Sequence, residues 1–183
     1  MSDKTDIKIE QSAKKTSKPL KAKLRSIAVD LLMIVLVVVG VSYWQNRGLI
    51  AQDQVAPNGD IPTLDGKISR VFESKKTLLY FFAPWCGVCK FVSPNVVRLQ
   101  SWLSSESWDV KAIALDYDEE KTVSEFVNSH GMGELEVLLG SEMLLESYRV
   151  SAFPTFYFVE DGKVKGRAVG YTTTLGLWLR TLL

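Results

Sequence analysis

The spacing of apolar residues divides the chain into a polar tail, one continuous apolar run and a longer patterned body. Leu31 to Val41 is unbroken apolar sequence, and Ile27, Ala28 and Val29 extend it backwards past Asp30. Thr77–Phe82 (TLLYFF) is short, apolar and partly aromatic, which suits a buried strand. From Gly87 to Leu103 the residues Val88, Phe91, Val92, Val96, Leu99 and Leu103 recur at helical spacing, with Pro94 inside the pattern to kink the helix. Val110–Leu115 reads as a second buried strand, and Glu119–His130 as an amphipathic helix closed by Gly131. Leu135–Leu139 predicts a short strand, and Ser141–Tyr148 a helix. Thr155–Val159 and Val164–Val169 predict a hairpin across Asp161-Gly162. Thr172 or Thr173 can N-cap a last helix that ends at Leu183. The order β-α-β-α-β-α-β-β-α predicts an α/β fold, a mixed central sheet flanked by helices on both faces.

Charge gives the apolar run its meaning. The 183 residues carry a formal net charge of +1, but residues 1–26 alone carry +5 and the part from Arg47 onward carries −3. A basic tail marks either a nucleic-acid partner or the flank of a membrane segment, and the adjoining sequence selects the second. Ile27 to Trp44 is 18 residues long and ends in Tyr43 and Trp44, aromatics that favour the membrane–water interface. Asp30 lies close enough to the basic end to reach the headgroup layer. A buried core helix fits the flanks less well, and no small-x-small pattern beyond Val41 marks a cleavable signal peptide. The expected organisation is therefore a cytoplasmic basic tail (1–26), a single-pass transmembrane anchor (27–44), a linker rich in turn signals (45–59) and a folded domain (60–183). Lys14, Lys15, Lys18, Lys21, Lys23 and Arg25 precede the anchor and only Arg47 closely follows it, so the N-terminus is expected inside and the folded domain outside, in a bacterium the periplasmic side of the inner membrane. No nucleic-acid partner is expected.

The chain has two cysteines, Cys86 and Cys89, in Trp85-Cys86-Gly87-Val88-Cys89-Lys90. A strand ends just before Cys86 and a helix begins with it. The unpaired N–H groups and partial positive charge of a helix N-terminus stabilise a thiolate, and the thiolate is the nucleophile. Cys86 is thus expected to be the exposed attacker, and Cys89, one turn further in, the buried thiol that resolves a mixed disulfide. Structural zinc needs four ligands, and beyond the cysteines only His130 is of the usual soft type, so no metal site is assigned. A Cu(I) site needs only two thiolates and stays open as an alternative. A purely structural disulfide closing so short a loop gains little. Trp85 is expected to line the substrate surface, Trp102, Trp108 and Trp178 to pack in or near the core, and His130 to cap a helix.

YFFAPWCGVCK resembles the active-site segment of thioredoxin, Pro94 stands where that family has its helix-kinking proline, and Phe153-Pro154-Thr155 is similar to its cis-proline loop. The resemblance implies a thioredoxin fold over about residues 60–183, protein disulfides as substrates, and no cofactor beyond a redox-active Cys86–Cys89 disulfide. It also implies that Gly87, Val88, Phe153 and Pro154 join Trp85 in binding substrate. Thr122–Leu139 is similar to the insertion of the TlpA-like membrane-anchored branch, and the CGVC centre looks like that of the suppressor-of-copper-sensitivity D proteins. One position departs: where thioredoxin has a buried Asp, six residues before the first cysteine, this chain has Tyr80. Tyr80 is read as a core aromatic with a bonded hydroxyl, without a catalytic role. Gly87 and Val88 bring no charge to the pair, so a moderately reducing protein is expected, re-reduced by a transmembrane electron carrier. A disulfide oxidase of the same fold and a Cu(I)-handling dithiol module are the alternatives.

Overall fold

The computed structural model describes residues 27–37, 40–41, 48–103 and 107–182. They form two units, one up to Val41 and one from Ser42 onward. In the first, residues 27–37 and 40–41 are helical (α1), and every side chain described there is exposed. Among the described residues no helix is long and apolar enough to cross a membrane. The expected anchor also includes residues 38, 39 and 42–44, and like the tail 1–26 these lie outside the described residues.

The second unit is built on a five-stranded sheet. Its elements are β1 (Asp60–Pro62), β2 (Ile68–Arg70), β3 (Lys76–Phe82), α2 (Gly87–Leu103), β4 (Trp108–Ala114) and α3 (Glu120–Ser129). There follow β5 (Glu136–Leu139), α4 (Glu142–Ser147), β6 (Thr155–Glu160), β7 (Lys163–Val169) and α5 (Thr174–Thr181). The strand order is β5-β4-β3-β6-β7, with β3, β4 and β5 parallel and β6 and β7 antiparallel to their neighbours. This is the thioredoxin fold, a mixed sheet flanked by helices. β3 lies at the centre because every residue from Thr77 to Phe82 can be buried and both faces are covered.

Alternation along β3 divides the core. Leu78, Tyr80 and Phe82 face α2, α3 and α5, whereas Leu79 and Phe81 face a layer that includes Tyr148 after α4 and Val71 and Phe72 after β2. Leu49, Ile50 and Ala56 join that second layer, so packed structure begins inside the stretch read as a linker. Asp53 N–H donates to Val164 O at 2.7 Å and Ala56 N–H to Gly162 O at 2.9 Å, which ties the stretch to β7. The β6–β7 turn places Asp161 and Gly162 at φ 49° and 75°, the two positive φ values that a tight hairpin of this hand requires. Gly166 sits beside the register shift at Phe158/Val159, where a Cβ would come 3.2 Å from the Phe158 ring.

Several expectations need correction. The β1–β2 hairpin was not expected; its strands have three residues each, too few for alternation to show. β4 begins two residues early, at Trp108, because that indole packs edge-on against Phe158. Phe91 and Trp102 fit the helical pattern of α2 but are exposed. Lys111 is buried in β4, where its Nζ meets Glu136 Oε2 at 3.0 Å, Ser69 Oγ at 3.0 Å and Arg70 O at 2.9 Å, and so clamps β2 to the sheet. Nothing in an apolar strand pattern announces a buried lysine.

Candidate active site

β3 delivers the chain to Ala83, whose carbonyl accepts the Cys86 N–H at 3.0 Å, and α2 starts immediately after. Cys86 and Cys89 are joined as a disulfide with Cα atoms 5.3 Å apart. Cys86 is 4% exposed and Cys89 0%; the expectation of an exposed Cys86 is corrected, since in this oxidised state both are buried and Cys86 shows only a sliver of itself to solvent. The N–H of Cys89 donates to Cys86 Sγ at 3.1 Å. An otherwise unpaired amide of the first helical turn thus points at the first sulfur, which is the feature that favours negative charge there.

The residues flanking Cys86 in the chain are exposed. Trp85 is 63% and Val88 42% exposed, Gly87 is open, and Phe91 one turn on is 74% exposed. Trp85 is fixed by its Nε1–H, which donates to Asp116 O at 2.9 Å, and by Phe153, edge-on at 5.8 Å. The Phe153–Pro154 peptide is cis, as the resemblance implies, and Pro154 O accepts the Gly170 N–H at 2.8 Å. Trp85 and Phe153 are therefore in contact, and the expected substrate residues Gly87 and Val88 lie on the first turn beside Cys86.

Behind Cys89 the surroundings are apolar except for two hydroxyls. Tyr80 OH lies 2.9 Å from Ser93 Oγ, and Ser93 Oγ donates to Cys89 O at 2.8 Å. Burial pushes the Tyr80 phenol above its ordinary range, only partly offset by Ser93. Ser93 escaped the sequence reading; the signal was a serine four residues after Cys89 on an apolar helix face. His130 ends α3: its Nδ1–H donates to Phe126 O at 2.8 Å and its ring stacks on Phe126 at 4.3 Å, as expected of a capping residue. Trp85, Lys90, Asp116, Tyr117, Glu125 and His130 are among the residues lining a groove of about 470 Å³ beside the disulfide. Among the described residues no three His, Cys, Asp or Glu side chains converge as a metal site.

Fold and disulfide together define a thioredoxin-like domain with a CxxC pair at the start of its second helix. Residues 63–145 match the Thioredoxin family. Over 105 residues the chain is 30% identical to thioredoxin H3 of Arabidopsis thaliana, covering 57% of this chain and 68% of that protein. Over 128 residues it is 28% identical to the thiol-disulfide oxidoreductase ResA of Bacillus subtilis, 68% of this chain and 70% of that one. A thiol:disulfide interchange protein of Chlorobium tepidum TLS superposes with a TM-score of 0.63 at 22% identity, covering 73% of this chain and 97% of that structure. The chain spans only 62% and 50% of the length of two other relatives. The chain belongs to the thioredoxin family.

Proposed function

We propose that this protein is a membrane-tethered reductase of protein disulfides that works on the outer side of a bacterial inner membrane. The observation that carries the chemistry is the Cys89 N–H aimed at Cys86 Sγ beneath an exposed apolar rim. In the reduced protein that sulfur is the one favoured as thiolate. It attacks a substrate disulfide to form a mixed disulfide, and Cys89 then displaces the substrate thiol. Trp85, Gly87, Val88, Phe153 and Pro154 hold the substrate backbone and side chains around the target sulfur.

Support for the tether is the exposed apolar helix 27–37 together with Tyr43, Trp44 and the lysines ahead of it. A transmembrane electron carrier then re-reduces the disulfide. The TlpA-like branch, and within it a role in copper tolerance, is the assignment that the CGVC centre and the segment Thr122–Leu139 favour. The reducing direction rests on Gly87 and Val88, which add no donor or charge to the thiolate.

Trapping tests the reading: Cys89→Ser, expressed with its N-terminal segment, is expected to accumulate mixed disulfides through Cys86 with periplasmic proteins. Cys89→Ser that captures no protein and only loses Cu(I) affinity sinks the exchange reading in favour of a copper module. A reduction potential near the strongly oxidising end, about −120 mV, reverses the direction.

A further inference from the structure

Resolution of a mixed disulfide requires Cys89 to lose a proton, and the core around Cys89 contains no group able to take one. Among the described residues no Asp or Glu is buried. The buried Lys111 points to the other face of the sheet, onto β2. That leaves the hydroxyls of Tyr80 and Ser93. Cys89 O accepts from Ser93 Oγ at 2.8 Å and lies 3.5 Å from Tyr80 OH, and the two hydroxyls share a hydrogen bond of 2.9 Å, so with either as donor both hydrogens go to each other or to the carbonyl. Both hydrogens are committed. A neutral hydroxyl becomes a base only after ionising itself, and burial favours the neutral phenol at Tyr80. The titratable groups on the neighbouring elements, Lys90 on α2, Asp116, Tyr117 and Asp118 after β4, and Glu125 and His130 at α3, line with Trp85 a groove whose lining includes neither cysteine.

We infer that Cys89 is deprotonated from outside the core, giving its proton to solvent, from which the departing substrate sulfur takes one in turn. Tyr80 and Ser93 are positioning residues that hold the Cys89 carbonyl and take no proton. This rests on the exchange reading and balances as follows. Cys89 gives its proton to solvent, its thiolate attacks Cys86 Sγ of the Cys86–S–S–substrate bond, the Cys86–Cys89 bond forms as the Cys86–substrate bond breaks, and the departing substrate thiolate takes one proton from solvent, equal to the one Cys89 lost. Two electrons pass from the dithiol to the substrate disulfide, and no further oxidant or reductant takes part.

A pH jump on the reduced full-length protein tests the route. A peptide pyridyl disulfide at pH about 4 loads Cys86 while Cys89 stays a thiol, since an ordinary cysteine ionises near 8.5. After the jump, peptide thiol release is followed between pH 6 and 9. With no internal base the rate is expected to rise about tenfold per pH unit up to at least about pH 8.5, because only the thiolate fraction attacks. Tyr80→Phe is expected to keep that slope with rates within about threefold, since it removes the hydroxyl but not the ring. Ser93→Ala, a milder change to the same pair, is expected to lower the rate by one factor at every pH. A wild-type rate that levels off below pH 7, or a slope altered in either variant, places a relay in the core and overturns the inference. Failure to load Cys86 at all overturns the exchange reading along with it.

Discussion

Cys86 and Cys89 are both buried in one core cluster, yet the residues flanking Cys86 in the chain are exposed and those sharing the cluster are not. Cys86 is flanked by Trp85, Gly87 and Val88, all exposed like Phe91 further along α2, with Phe153 half-buried against the indole. Cys89 lies in the cluster with Tyr80, Phe82, Val92, Val96 and Phe156. The rim presents exposed apolar surface, and the floor packs buried apolar side chains of β3 against α2 and α3. Substitutions on the rim are therefore expected to change exchange rates with little effect on stability, and substitutions in the floor to do the reverse.

The largest effect is expected at the rim's own nucleophile. Cys86→Ser removes the attacking thiolate and is expected to lower reduction of a disulfide-bonded protein by roughly a thousandfold or more, the scale seen when a nucleophile is deleted. Residual turnover within tenfold of wild type would mean that Cys89 attacks substrate directly, and the distinction between rim and floor would collapse. In the floor, Phe82 stacks on Tyr80 at 5.5 Å and on Phe126 at 5.1 Å, and so joins β3 to α3. Phe82→Ala is expected to cost about 3–5 kcal/mol in denaturant unfolding of the oxidised protein. A loss under about 1 kcal/mol would show that the floor is not packed as described.

How much of this was legible in the sequence follows the same line. The central strand could be read from its unbroken apolar run, the long α2 from helical spacing sustained past its proline, and the β6–β7 hairpin from Asp161-Gly162 between two strand-like runs. The dithiol could be read because its residue types and the preceding strand fix its chemistry. Ser93, Lys111 and the packing of Leu49, Ile50 and Ala56 could not. Each depends on a contact between distant parts of the chain, where Ser93 meets the Tyr80 hydroxyl, Lys111 meets Glu136, and an extended segment meets β7. Exposure of Phe91 went unseen for the opposite reason: helical spacing marks an apolar position without showing that anything covers it.

The floor also predicts a response to alkali. Tyr80, Tyr148 and Tyr157 are buried, and burial is the main cause that raises each phenol above its ordinary value near 10, Tyr157 to about 12. In the unfolded chain these groups lose their protons first. Between roughly pH 10 and 12 the folded state holds more protons, so stability is full below about pH 10 and falls as pH rises through the folded values. Each phenol contributes a slope of about 1.4 kcal/mol per pH unit in that window. Urea midpoints measured from pH 8 to 11 are expected to stay level and then drop steeply. A drop that starts below pH 9 would contradict the burial of these rings.

The smallest expected effect probes the rim alone. Trp85 keeps its ring over the surface through one hydrogen bond, Nε1–H to Asp116 O at 2.9 Å, and one edge contact with Phe153. Trp85→Ala removes both, along with the largest apolar area beside Cys86, and is expected to lower kcat/KM for a protein disulfide about tenfold, or about 1.4 kcal/mol. Stability should move by less than about 1 kcal/mol, because an exposed ring contributes little burial. Trp85→Phe separates the two contributions: it keeps an aromatic face but leaves Asp116 O without the indole donor, and about a threefold loss is expected from the freer ring. If Trp85→Ala instead destabilises the fold as Phe82→Ala does, while exchange per folded molecule is unchanged, the indole belongs to the floor and substrate is held elsewhere.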